Sequence, residues 1–270
     1  MSYLKPLALI FLVALTACGN SGSNPSNVAS LAGNWQMTLQ NATSSETQSG
    51  FLLDTANTLS GGFLLSGQTN SGETSCSGVG SAVGQATGDN IQLTVNPAGQ
   101  TVTLTGTSAS NPTSMSGTYS ILAAGCGQTE IGTWSANLVD TLTGNFQATF
   151  SLDGSSTVFH FSGSVTQGPN LGQSSATLSG TMTSSDSPCF TSATIGGVVS
   201  GTTVVFNLVG SDGSELGKYS GTMTTDATSI SGTYRFSNAS DPTVLGPCQG
   251  YGGDATVTVQ PSSTTNSTTN

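Results

Sequence analysis

Positive charge is almost missing from this 270-residue chain, which sets Lys5, Lys218 and Arg235 against thirteen Asp and Glu. A surface so poor in cations repels phosphate backbones and cannot build the basic stripe that nucleic-acid binding needs, so nucleic acid is excluded as a partner. Charged residues of both signs make up only 6% of the chain, against about 25% in ordinary globular domains. Solubility must then rest on Ser, Thr, Asn and Gln. There is one histidine, His160. A zinc site needs three or four nitrogen or sulfur ligands, so no metal and no cofactor are expected. No Gly-x-Ser-x-Gly elbow occurs, and no glycine-rich phosphate loop precedes a helix. No apolar run reaches the ~20 residues of a membrane-spanning helix.

What is present begins at the amino terminus. Lys5 lies in a short first region, Leu7–Leu15 is nearly unbroken apolar, and Leu15-Thr16-Ala17-Cys18 follows. A positive start, an apolar stretch and small residues at a cleavage point make a secretory signal. With Cys in the last place, the segment resembles the lipobox of bacterial lipoproteins. The resemblance implies a signal peptide over 1–17, cleavage before Cys18, and acylation of Cys18 with chains such as palmitate. More than one acyl chain is enough for stable anchoring, so the membrane becomes a partner through Cys18. Gly19 follows with no Asp in the next position. In a Gram-negative host the family's sorting rule then implies the outer membrane, on its periplasmic or surface face. Loss of Lys5 with the signal leaves two cations against thirteen carboxylates, a net charge of −11.

Cys76, Cys126, Cys189 and Cys248 remain after Cys18 goes to lipid. Four cysteines in an exported chain point to two disulfides, with three pairings open on count alone.

The chain also repeats itself. Leu31-Ala32-Gly33-Asn34-Trp35-Gln36-Met37-Thr38 returns as Leu142-Thr143-Gly144-Asn145-Phe146-Gln147-Ala148-Thr149. Leu65-Ser66-Gly67, nine residues before Cys76, returns as Leu178-Ser179-Gly180, nine before Cys189. Gly88 and Gly201 each stand twelve residues after those cysteines, and Ser116-Gly117-Thr118-Tyr119 returns as Ser231-Gly232-Thr233-Tyr234. A period near 113 residues indicates two domains and not a solenoid of short repeats. The expected layout is a lipidated tether over 18–30, repeat one over 31–140, repeat two over 141–260 and an unstructured tail over 261–270.

Within each repeat the apolar residues alternate, the mark of half-buried strands. Trp35, Met37 and Leu39 face one way, as do Phe146, Ala148 and Phe150. Gly88-Asp89-Asn90, Pro97-Ala98-Gly99, Asp153-Gly154 and Asp212-Gly213 supply turns. Eight strands per repeat are expected, near 33–43, 48–55, 58–68, 76–87, 90–96, 100–108, 114–123 and 130–139. In the second repeat they fall near 144–153, 157–167, 174–185, 189–200, 203–211, 214–225, 229–238 and 252–260. The fold class is all-β: two tandem antiparallel eight-stranded meander barrels, which close and so remove their edges, with β-sandwiches as the alternative. In such a meander strands 4 and 8 start at the same end. Cys76–Cys126 and Cys189–Cys248 bonds would then strap loops across each barrel mouth.

Gly33-Asn34-Trp35 on the first strand resembles the G-x-W opening of lipocalins and avidins, the calycin barrels. That resemblance covers one strand and the meander pattern, and implies architecture only. The late Arg that packs over this Trp in lipocalins has no counterpart in repeat one, and Phe146 replaces the Trp in repeat two.

Candidate chemistry is sparse. His160 alternates outward between Phe159 and Phe161, which suits a surface imidazole better than a general base. Asp212-Gly213-Ser214-Glu215 and the Asp241-to-Asp254 stretch are oxygen clusters without the alternating carboxylates of a calcium loop. Trp35, Met37, Tyr119, Trp134, Phe146, Phe150, Phe159, Phe161 and Tyr234 face inward and are candidates to line an apolar pocket or simply to fill a core. The loop with Pro242, Leu245, Pro247 and Tyr251 has fourteen residues from Tyr234 to Cys248, against seven from Tyr119 to Cys126. Its place at a barrel mouth makes it a candidate recognition loop. The expected function is a non-enzymatic, lipid-anchored envelope module that binds a small apolar molecule or another envelope component, or acts as a spacer. The alternative is a hydrolase or carbohydrate-active enzyme whose carboxylates come from distant strands.

Overall fold

The protein is described by a computed structural model over residues 29–57, 61–71, 78–97, 100–109, 111–122, 129–236, 248 and 250–261. The architecture is all-β, with two closed eight-stranded antiparallel barrels in tandem. The first contains β1 (Gly33–Gln40), β2 (Ser45–Asn57), β3 (Gly62–Ser71), β4 (Gly78–Thr87), β5 (Asn90–Pro97), β6 (Thr101–Ser108), β7 (Ser114–Leu122) and β8 (Glu130–Val139). The second contains β9 (Thr143–Ser151), β10 (Val158–Gln167), β11 (Ala176–Thr183), β12 (Ser192–Ser200), β13 (Thr203–Val209), β14 (Glu215–Met223), β15 (Ser229–Phe236) and β16 (Gly252–Pro261). Within each barrel every strand pairs with its successor, and β1–β8 and β9–β16 ladders close the two cylinders. Cys18, Cys76, Cys126, Pro242, Leu245 and Pro247 lie outside the described residues, as do the expected signal peptide and all of the expected tail but Pro261, which ends β16.

Alternation fixes the inner faces. Trp35, Met37 and Leu39 are buried inside the first barrel, and Phe146, Ala148 and Phe150 inside the second. The Trp35 indole nitrogen donates to the Leu31 carbonyl at 2.9 Å. A local backbone acceptor thus satisfies the indole of the G-x-W segment, in a barrel that has no arginine to cover it.

The barrels are locked together. The Asn34 side chain donates to the Gly201 carbonyl at 2.9 Å and accepts from the Gly201 amide at 2.8 Å. Thr202 donates to Gln36 Oε1 through its amide and its hydroxyl. The Ser49 and Ser200 hydroxyls meet at 2.8 Å, and Asn170 donates to the Leu52 carbonyl at 2.8 Å. Phe51 crosses the boundary altogether. It lies on β2 of the first barrel, yet it is 2% exposed and packs in the second barrel's core with Val139 and Leu142. Burial of such a side chain is worth about 1.5–3 kcal/mol. The second barrel offers it the end formed by the β10–β11, β12–β13 and β14–β15 connections, and Phe51 acts as a plug.

Opposite that plug, the β11–β12 and β15–β16 connections are joined by the Cys189–Cys248 disulfide, whose Cα atoms are 5.3 Å apart. It closes a separation of 59 residues, for which chain entropy gives about 4 kcal/mol.

Candidate functional site

Two copies of one register permit a position-by-position comparison of the two interiors. In the first barrel Met37 faces Gln48 across the β1–β2 ladder, and in the second Ala148 faces Phe161. Gln48 and Phe161 therefore occupy the same place. By the same ladders Thr69 corresponds to Met182, and Ala82 to Ile195. All three places lie toward the barrel end that carries the cysteine-bearing connections.

The second barrel fills this end. Phe150 packs on Phe161 with ring centroids 4.8 Å apart and on Tyr234 at 4.6 Å. Phe206 stacks on Tyr219 at 4.7 Å, and Phe190 reaches in from the β11–β12 connection to pack against Phe161 and Phe236. Contacts of this kind add about 0.5–1.5 kcal/mol each beyond area burial. Phe146 and Phe159 complete the same core. The Tyr219 and Tyr234 hydroxyls are buried, with no hydrogen-bond partner among the described residues. Burial pushes both phenols up, Tyr234 to about 12, with the Asp153 charge adding to the shift there.

The first barrel treats its matching end differently. Gln48 is 1% exposed and Thr69 is fully buried, and among the described residues neither the Gln48 amide nor the Thr69 hydroxyl has a hydrogen-bond partner. Ser71 is buried beside them, opposite Gln48 on β3. Tyr119 donates to the Glu130 carboxylate at the same end. Trp35, Met37, Trp134 and Tyr119 belong to this barrel's core and the other five inward aromatics to the second. The nine expected pocket residues are thus divided between two separate interiors.

Outside the barrels, an open groove of about 710 Å³ runs over β13 to β16. Lys218 and Arg235, opposite each other on β14 and β15, line it together with Asp153, Asp254 and Tyr251. Tyr251 is the described member of the candidate recognition loop, and it also packs against the second core. Lys218 lies 3.6 Å from Glu215, so the two cations are set among carboxylates.

His160 is on the outer surface, with Nδ1 2.7 Å from Asp186 Oδ2. The hydrogen bond from His160 holds the Asp186 carboxyl down to about 2, helped by the His160 amide and Ser184. The Ser184 hydroxyl contacts Asp186 and the His160 carbonyl. Nucleophilic catalysis needs Ser–His–Asp in that order, with imidazole next to the hydroxyl. Here Asp186 sits between the other two, and the trio ties the β11–β12 connection to β10. Asp212 accepts from the Ser214 amide and hydroxyl and shapes the β13–β14 turn. Among the described residues no three His, Cys, Asp or Glu side chains gather to hold a metal ion.

No family model matches the chain, and no curated protein is similar to it. Among solved structures, intact Ap-TbpB (N and C lobes) aligns with 85% of this chain at 10% identity and a TM-score of 0.24. The alignment covers 64% of that protein's chain. A match at this level transfers no residue and no ligand.

Gln48, Thr69, Glu130 and Asp186 carried no sequence motif. Gln48 and Thr69 are polar, and a polar residue in an alternating strand reads as outward. Only comparison with Phe161 and Met182 at the matching places of the duplicate could have marked them.

Proposed function

We propose that this chain is a non-enzymatic, lipid-anchored binding protein of the bacterial envelope. In this reading the second barrel is the structural support and the first carries the ligand. The observation behind it is the contrast between two copies of one fold: at the places where the second interior carries Phe161 and Met182, the first keeps the buried amide of Gln48 and the buried hydroxyl of Thr69. Burying an amide without a partner costs about 1–3 kcal/mol, so a protein retains one where something else satisfies it. The lipobox-like Leu15–Cys18 segment supports tethering, and Cys76–Cys126 is proposed as the first repeat's match to the Cys189–Cys248 bond.

Fractionation of the native host tests the tether. The full chain should sediment with membranes, and Cys18→Ala should move it to the soluble fraction. Organic extraction of the wild-type protein should release a co-purifying small molecule. A chain that stays with membranes when Cys18 is replaced, or that yields no compound, would contradict the corresponding half of the reading.

A further inference from the structure

Lys218 and Arg235 are the only Lys and Arg after Lys5, and the outer face of the second barrel sets them side by side. Lys218 on β14 stands directly opposite Arg235 on β15, and like charges so placed repel. Lys218 reaches Glu215 at 3.6 Å in an exposed pair, a kind of contact worth little. Arg235 has no ion-pair partner among the described residues. The next place along this row, opposite Arg235 on β16, is Gly252, which has no side chain. Beyond it the Asp153 amide donates to the Gly252 carbonyl at 2.9 Å, so the β9–β10 turn continues the row. Asp254 stands opposite Thr233, two residues further along β16. Neither of these carboxylates has an ion-pair partner among the described residues. Cations thus lie to one side of Gly252 and carboxylates to two others, all lining the groove of about 710 Å³, with Tyr251 as a wall.

We propose that this groove is a further binding site, separate from the first barrel's interior, for a short zwitterionic peptide with a free amino group and a free carboxylate. The peptide's carboxylate meets Arg235, whose planar fork takes both oxygens at once, and Lys218 adds a point charge. An anion held there also removes the repulsion between the two cations. The peptide's ammonium group meets Asp153 and Asp254. Arg235 and Asp153 are two inter-strand steps apart, about 10 Å. Two extended residues span about 7 Å, so a dipeptide comes within reach of both. Ligands of one sign fit the charges less well. A simple anion faces Asp153 and Asp254 as well as the cations, and a simple cation faces Lys218 and Arg235.

Saturation-transfer NMR on the full chain in an uncharged detergent at low salt tests the groove, with L-alanyl-L-alanine at millimolar concentration as the probe. Transfer to the free dipeptide is expected, and about 1 M salt, where charges are screened beyond about 3 Å, should abolish it. The N-acetylated and the C-amidated forms should each bind about fivefold more weakly, the upper range for one exposed ion pair. Arg235→Gln and Asp153→Asn should each weaken the free dipeptide by the same factor. Asp89→Asn, an equal change of charge in the β4–β5 turn of the first barrel, should not. Arg235→Gln also removes the like-charge contact, so the variant should melt no lower than the wild type. No transfer to the free dipeptide, or transfer that survives both groove substitutions, would overturn the proposal. Equal transfer to the free and N-acetylated forms would mark a plain anion site and overturn it as well. No substitution here touches the first barrel's interior, so failure of this site is separate from failure of the reading above.

Discussion

Gly88 and Gly201 occupy the same hairpin tip in the two repeats, with left-handed φ of +57° and +54°. Their surroundings differ. A Cβ on Gly88 would meet nothing within 4 Å, whereas on Gly201 it would lie 2.2 Å from Gln36 Oε1 and 2.6 Å from Ser49 Cβ. Gly88→Ala should therefore cost about 1–2 kcal/mol, the left-handed backbone alone. Gly201→Ala should cost about 1–3 kcal/mol more, because it also overpacks the junction between barrels. Denaturant titration of the pair checks this, and equal losses would mean the junction yields freely. The buried tyrosines give a pH test at the same scale. Their folded-state values lie above the ordinary value of 10.0. The unfolded chain therefore releases these protons first, and stability present below about pH 10 falls as pH rises toward 12. Tyr234→Phe should leave neutral-pH stability unchanged or raise it by about 1 kcal/mol, since it removes an unpartnered hydroxyl. It should also flatten the alkaline loss measured by thermal melts from pH 8 to 12.

At the scale of elements, β2 shows what sequence could and could not reveal. Alternation and duplication made the sixteen strands and their meander readable, because strand period and turn chemistry are local properties. The strand near 48–55 proves to run Ser45–Asn57, since its polar ends pair on the ladder without an apolar signal. The run Phe51-Leu52-Leu53 defied alternation for a physical reason. Leu52 faces the first core, while Phe51 enters the second and Leu53 lies against Gly172. Asn34 likewise alternates outward yet is buried, because the β12–β13 turn docks on it. A single strand's pattern gives the side on which a residue lies, never what arrives from the other barrel. Phe51→Ala should cost about 3–5 kcal/mol, as for other buried aromatics, and should separate the melting of the two barrels in scanning calorimetry. One unchanged cooperative transition would show that Phe51 is not the coupling element.

For the whole molecule, duplication followed by divergence explains the asymmetry. Both repeats keep the register and both close, but the second interior carries Phe161 and Met182 where the first carries Gln48 and Thr69. In the proposed reading the division is between a barrel that stabilises and a barrel that holds. No pattern in a single repeat displays that division, since Gln48 and Thr69 are ordinary residues until laid over Phe161 and Met182. The central claim is that the first interior is occupied. Native mass spectrometry of the full lipoprotein purified from its own host, run beside the Gln48→Leu/Thr69→Val double variant, tests it most directly. The account predicts a discrete added mass on the wild type that leaves on denaturation and is missing from the variant. A bare wild-type mass, or the same added mass on both proteins, would contradict it.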